Sequence, residues 1–172
     1  MRKIILLGYM GCGKSTVAEI LAKNLDVEHI DLDCYIERKT GAAIAELFTS
    51  RGEIYFRKVE HESLNEILLQ PINCIISLGG GTPCYANNHL LLNGPDVISI
   101  YLKASIATLV ERLSSERASR PLISRLTPDE LPEYIAKHLF DRSYFYHQAT
   151  HTVSIDGKNL EGIVDEIVKL LA

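Results

Sequence analysis

The segment Gly8-Tyr9-Met10-Gly11-Cys12-Gly13-Lys14-Ser15-Thr16 carries the spacing G-x-x-x-x-G-K-[ST], with an apolar run before it and a helical pattern after it. Glycines let the backbone curl until successive N–H groups converge on a phosphate, and the positive end of the following helix adds to them. The nucleotide-binding set read from this motif is Gly11, Cys12, Gly13, Lys14, Ser15 and Thr16. Lys14 would neutralise the β- and γ-phosphates, and Ser15 would offer its hydroxyl to Mg²⁺. Cys12 reads as a small filler of the loop. A chance glycine turn between strand and helix is the alternative, and the motif and its context together weigh against it.

Two further features carry chemistry. In HIDLDCYIE (29–37), Asp31 and Asp33 follow a short apolar run. In an extended segment they would point to one side, and like charges so close repel unless a cation or a hydrogen-bonding partner lies between them. A competing expectation makes Asp33 the cap of a helix beginning in CYIERKTG. After the apolar run CIISL come Gly79, Gly80 and Gly81, which strip side chains from a strand's carboxyl end. Ligands sit at that end in α/β sheets, so a small substrate could approach bare backbone there. A flexible turn is the alternative.

The elements that must position these residues are legible in outline. Strands are expected at 3–7, 27–30, 74–78, 97–102 and 151–155, and helices at 14–25, 54–69, 105–115 and 160–172. Continuous β-branched runs separated by helical segments point to a three-layer α/β class with a parallel sheet. The stretch 115–133 is arginine-rich and broken by Pro121, Pro128 and Pro132, so it reads as a surface loop or a mobile lid.

At 172 residues, 47% hydrophobic and 23% charged, one domain spanning 1–172 is the simplest organisation. A net charge of −4 gives no reason to expect a nucleic-acid partner. No run approaches the ~18 apolar residues of a membrane span, and the apolar core of MRKIILLGYM is too short for a standard signal peptide. The cysteines (12, 34, 74 and 84) form no C-x-x-C pair, and a reducing cytoplasm is the expected setting. The histidines (29, 61, 89, 138, 147 and 151) are scattered, and no zinc site is expected. One core accounts for the apolar positions, so a monomer is the simpler expectation.

The loop alone does not name a reaction. A GTPase switch would need D-x-x-G and N-K-x-D, and neither string occurs. Taken together, GYMGCGKST, DLD (31–33), FRKVE (56–60), SLGGGTP (77–83), SRPLI (119–123) and RSYFY (142–146) resemble the shikimate kinases in order and spacing, over nearly the whole chain. The resemblance implies a three-layer α/β/α P-loop fold of the nucleoside monophosphate kinase type, with a five-stranded parallel sheet in the order 2-3-1-4-5. It also implies a substrate-binding segment at about 31–62 and a mobile lid at about 112–125.

The implied reaction moves the γ-phosphoryl group of ATP, with Mg²⁺, to the 3-hydroxyl of shikimate. By the same resemblance Asp31 lies near the magnesium through water, and Asp33 contacts the shikimate hydroxyls. Arg57 and Arg142 bind the carboxylate, Gly79, Gly80 and Gly81 meet the substrate with backbone, and Arg120 closes over the phosphates. Glu60 would hold Arg57, or else form a solvated salt bridge with it. Arg112 would lie against the adenine, while Arg117 and Arg125 are read as solvated charge. The match of Tyr146 is open, and no adenine contact is assigned to DGKN (156–159). A sugar-acid kinase such as a gluconate kinase, or a nucleotide-binding module without catalysis, are the competing readings.

Overall fold

The computed structural model describes residues 2–120 and 122–172. Met1 and Pro121, the latter inside SRPLI and the expected lid, lie outside the described residues.

The strands are β1 (Lys3–Leu7), β2 (Glu28–Asp31), β3 (Cys74–Ser77), β4 (Val97–Lys103) and β5 (His151–Ser154). They form one sheet in the order β2-β3-β1-β4-β5, parallel throughout. Every residue of β1 and β3 is buried, so side chains pointing to either face are covered. That burial is why both strands read as unbroken apolar runs. The edge strands β2 and β5 bury one side chain each and are accordingly polar.

The helices are α1 (Lys14–Leu25), α2 (Leu32–Thr40), α3 (Ile44–Arg51), α4 (Glu53–Leu69), α5 (Ile106–Glu116), α6 (Glu130–Tyr146) and α7 (Leu160–Leu171). The four helices expected from periodicity are present within a residue or so at each end. In α1 the apolar spacing buries Val17, Ala18, Leu21 and Ala22 against β2 and β3. Three more helices carry a weaker pattern. α2 buries only Leu32 and Ile36, and α3 only Leu47, too few positions for a 3.6-residue period to stand out. In α6, Pro132 falls in the first turn, where a missing N–H breaks no helical hydrogen bond. Read in sequence as a break, it instead stands at a beginning.

Most of the described residues of 115–133 lie in helices or turns. α5 runs through Glu116, a 3-10 turn covers Arg117–Ser119, and hydrogen-bonded turns link Arg120 to Ile123 and Ile123 to Leu126. Ile123 is wholly buried and pins the centre of this segment to the core.

Candidate active site

The phosphate loop leaves β1 and feeds α1. Gly11 and Gly13 have φ of 80° and 91°, values that side-chain-bearing residues rarely adopt. No side chain caps α1 at Gly13, so its first N–H groups stay open to an anion. Lys14 folds back along the loop, its Nζ donating to the carbonyls of Gly8 and Tyr9 at 2.9 and 3.0 Å. Cys12 is buried beside it, as a filler should be.

The two aspartates are brought together by a strand-to-helix junction, whereas the sequence suggested one extended segment. Asp31 ends β2 and caps α2, its Oδ1 accepting from the Cys34 N–H at 3.1 Å. The cap is Asp31, then, and Asp33 sits in the helix's first turn. Asp31 Oδ2 also accepts from the hydroxyls of Ser15 at 3.0 Å and Ser77 at 2.8 Å. Burial alone would raise its pKa, but the Cys34 N–H and the two hydroxyls outweigh that and hold the carboxyl below the usual range.

Asp33 has no such donors to offset its surroundings. Burial first, then the charges of Asp31 and Glu60, push its pKa up to about 6, against a partial offset from Lys14. The same junction thus yields one firmly ionised carboxylate and one poised near neutrality.

Gly79, Gly80 and Gly81 each lie near a different functional side chain. A methyl group added to Gly79 would sit 3.3 Å from Asp33 Oδ1, and one on Gly80 3.5 Å from Arg142 Nη1. One on Gly81 would sit 3.0 Å from Arg57 Nη2. The close approach is tightest at Gly81, against Arg57, and at Gly79, where Thr82 Oγ1 at 3.1 Å is nearer still than Asp33; at Gly80 a methyl group would meet only ordinary contacts.

The two arginines have further partners around them. Arg57 donates from Nη1 to Glu60 Oε2 at 2.9 Å and lies over the Tyr85 ring at 3.9 Å. Glu60 is 1% exposed, so the carboxylate of this pair is buried while Arg57 is half-buried and also reaches the exposed Glu53 at 3.5 Å, unlike a fully solvated bridge. Thr82 donates to the other Glu60 oxygen at 2.7 Å. Arg142 lies over the Tyr9 ring at 5.6 Å, and Tyr146, wholly buried, donates its hydroxyl to the Gly80 carbonyl at 2.6 Å. Tyr146, whose match the sequence left open, thus contacts the backbone of the glycine run.

A cavity of about 560 Å³ takes in the phosphate loop, both aspartates and Gly79 and Gly80, whereas Arg57, Arg142 and Gly81 lie outside its lining. Lys14, Ser15, Asp31 and Asp33 line it on the loop side, Gly79 and Gly80 beneath, and Arg112, Glu116 and Arg120 across from them. Arg112 donates to the Gly11 carbonyl at 3.3 Å, and the Arg120 guanidinium is engaged by Glu116 at 2.5–2.7 Å. Arg125 is exposed and Arg117 half-buried. In DGKN, Asp156 accepts from Ser105 N and Thr108 Oγ1, and Asn159 caps α7.

Sequence reasoning missed Glu116, Tyr85 and Thr82. Thr82 stood inside SLGGGTP and was legible as part of that motif. Glu116 stands four residues before Arg120, a spacing that could have shown the pair, whereas only the fold brings Tyr85 to Arg57.

The sequence model of the family described as "Shikimate kinase" matches residues 10–172. A curated relative called shikimate kinase, from Flavobacterium johnsoniae, is 53% identical over 172 residues and the whole length of both chains. Among solved structures, shikimate kinase from Bacteroides thetaiotaomicron superposes with a TM-score of 0.90 at 35% identity, covering 99% of this chain and 98% of that one. A structure described as shikimate kinase from Acinetobacter baumannii in complex with shikimate matches with a TM-score of 0.86 at 31% identity, over 99% and 93% of the two chains.

Proposed function

The chain belongs to the shikimate kinase family, and we propose from its site how it transfers the γ-phosphoryl group of ATP to the 3-hydroxyl of shikimate. The products are ADP and shikimate 3-phosphate. One observation carries the assignment of roles: Asp33, Arg142 and Arg57 all come up to the run Gly79–Gly81, next to the phosphate loop.

Arg57 and Arg142 receive the shikimate carboxylate. A guanidinium presents parallel N–H groups that match a carboxylate's two oxygens, and Glu60 engages Nη1 of Arg57. Held at that end, the substrate turns a ring hydroxyl toward Asp33. Gly79, Gly80 and Gly81 let it lie close to the backbone. ATP places its phosphates in the loop of Gly11, Cys12, Gly13, Lys14, Ser15 and Thr16, against the uncapped end of α1. Lys14 exchanges the Gly8 and Tyr9 carbonyls for phosphate oxygens, and Arg120 exchanges Glu116 for them.

In the transfer, the hydroxyl oxygen bonds to the γ-phosphorus as the bond to the bridging oxygen breaks, its electron pair leaving with ADP. The hydroxyl proton passes to Asp33. A carboxylate with a pKa near 6 is mostly ionised at neutral pH yet a stronger base than an ordinary aspartate. The loose transition state asks little of a base, so the larger contribution is positioning and charge neutralisation by Lys14 and Arg120.

The Ser15 hydroxyl and the ionised Asp31 carboxylate, 3.0 Å apart, are hard oxygen donors that fit Mg²⁺. That ion takes one or two carboxylates, keeps several waters and completes its shell with substrate phosphates. Ser15 would hold it directly and Asp31 through water, and bound there it would neutralise the charge on the β- and γ-oxygens.

The segment 31–62 acts as the substrate-binding region and 112–125 as a lid whose closure keeps water from competing as acceptor. The chain works as a single domain, 1–172, and as a monomer in the cytoplasm. Its free cysteines fit a reducing compartment, and among the described residues no helix is long and apolar enough to cross a membrane.

The test is ADP release by the purified protein with shikimate, gluconate and nucleoside monophosphates offered separately. Shikimate should be strongly preferred. A faster reaction with gluconate would overturn the assignment.

A further inference from the structure

Behind Arg57, a series of polar groups runs away from the pocket through the protein interior. Thr82 donates to Glu60, and the Thr82 carbonyl accepts from Asn88 Nδ2 at 2.9 Å. Asn88 Oδ1 lies 2.6 Å from His61 Nδ1, and His61 Nε2 lies 3.2 Å from Asn65 Nδ2. Thr82 and Asn88 are wholly buried. The Asn88 amide donates to Thr82, which leaves its Oδ1 to accept from His61 Nδ1, while the Asn65 amide faces Nε2.

The backbone that delivers Asn88 is strained. Ala86 and Asn87 have φ of 48° and 56°, the left-handed region, which asparagine tolerates but which the Cβ of Ala86 disfavours. Such conformations persist where the surroundings over-determine them. Here the turn starts at Tyr85, stacked on Arg57, and ends at Asn88. The series also crosses between elements. Arg57, Glu60, His61 and Asn65 lie on α4, whereas Thr82 and Asn88 lie in the connection that carries the three glycines.

We propose that His61 and Asn88 are positioning residues for the substrate carboxylate. They lock Thr82, through it the carboxylate of Glu60, and through that the plane of the Arg57 guanidinium. The aromatic face of Tyr85 fixes the tilt of that plane; within it Nε meets the exposed Glu53 at 3.5 Å and Nη1 meets the buried Glu60 at 2.9 Å, so Glu60 and its anchors are the tighter restraint on rotation. The inference rests on the assignment of Arg57 to the carboxylate.

His61 is half-buried, so its replacement is compatible with folding, unlike that of Asn88. His61→Leu deletes both hydrogen bonds and leaves Asn88 Oδ1 unpaired. His61→Asn places an amide nitrogen close to where Nδ1 stood. Leucine should raise the KM for shikimate about tenfold, the effect of one buried group left unsatisfied. It should leave the KM for ATP within about twofold, and asparagine should restore most of the loss. Arg57→Ala is assayed alongside. A raised shikimate KM in Arg57→Ala with none in His61→Leu overturns the relay and leaves the carboxylate assignment standing. An unaffected Arg57→Ala overturns both. Shikimate and ATP KM rising together in His61→Leu, or asparagine faring no better than leucine, assigns His61 a merely structural role and overturns the relay.

Discussion

Replacing Asp33 by asparagine separates what this carboxylate does for the reaction from what it does to the fold. Its pKa of about 6 against an ordinary 3.8 means that the folded protein prefers the protonated acid. Ionising it therefore opposes folding. The penalty is absent below the unfolded value near 4, grows as pH rises, and is complete above about 6. Roughly two pKa units correspond to about 3 kcal/mol as an upper bound, and about 2 kcal/mol is reasonable because water reaches the cavity. Asparagine keeps the shape, removes the charge and can donate to the neighbouring carboxylates. At pH 8 the variant should be more stable by that amount, a rise of about 4–8 °C in Tm for a chain of this size. At pH 4 the advantage should vanish. The same variant should lose about a hundredfold or more in kcat. The wild-type kcat/KM for shikimate should fall about tenfold per unit below pH 6 as Asp33 takes up its proton, a limb the variant lacks. The assays are thermal unfolding at both pH values and a pH profile of ADP release. No gain in Tm at pH 8, or an equal gain at pH 4, would refute the electrostatic account of this residue.

Arg57→Ala removes a charge-assisted contact worth about 1.5–3 kcal/mol, so the shikimate KM should rise by about tenfold or more, and an unchanged KM would remove Arg57 from the site. Gly81→Ala puts a methyl group 3.0 Å from Arg57 Nη2, which Glu60 and Tyr85 prevent from retreating. It should raise the shikimate KM and spare that for ATP, as initial rates with each substrate varied would report. Glu116→Gln frees Arg120 from a half-exposed ion pair of about 0–1 kcal/mol. The ATP KM should drop by about twofold, and a rise would mean that Glu116 helps ATP to bind. Lys14→Met should abolish phosphoryl transfer while leaving the far-ultraviolet circular dichroism intact, and wild-type turnover in that variant would end the reading of the loop.

The chemistry legible in the sequence was local. The phosphate loop announces itself because glycine, lysine and hydroxyl must stand at fixed offsets along one turn of chain. The sheet was legible because strands buried on both faces leave long apolar runs, as in β1 and β3. The i, i+3 spacing of Arg57 and Glu60 was visible as well. Whether that pair is solvated or buried was not, because burial depends on Thr82 and Tyr85 from another part of the chain. The two aspartates show the same limit. Their spacing suggested a shared face of one strand, yet the chain turns into α2 between them.

By itself, then, the sequence determined the order of the strands' apolar runs, the loop that takes a phosphate and the family the motifs resemble. Tertiary structure alone decided that Asp31 is held ionised while Asp33 is raised toward neutrality, and that Asp33, Arg142 and Arg57 come from three helices to one run of glycines. The physical reason is range. Backbone geometry and periodicity act over a few residues and leave a pattern along the chain, whereas desolvation and charge–charge coupling depend on distances that only folding sets.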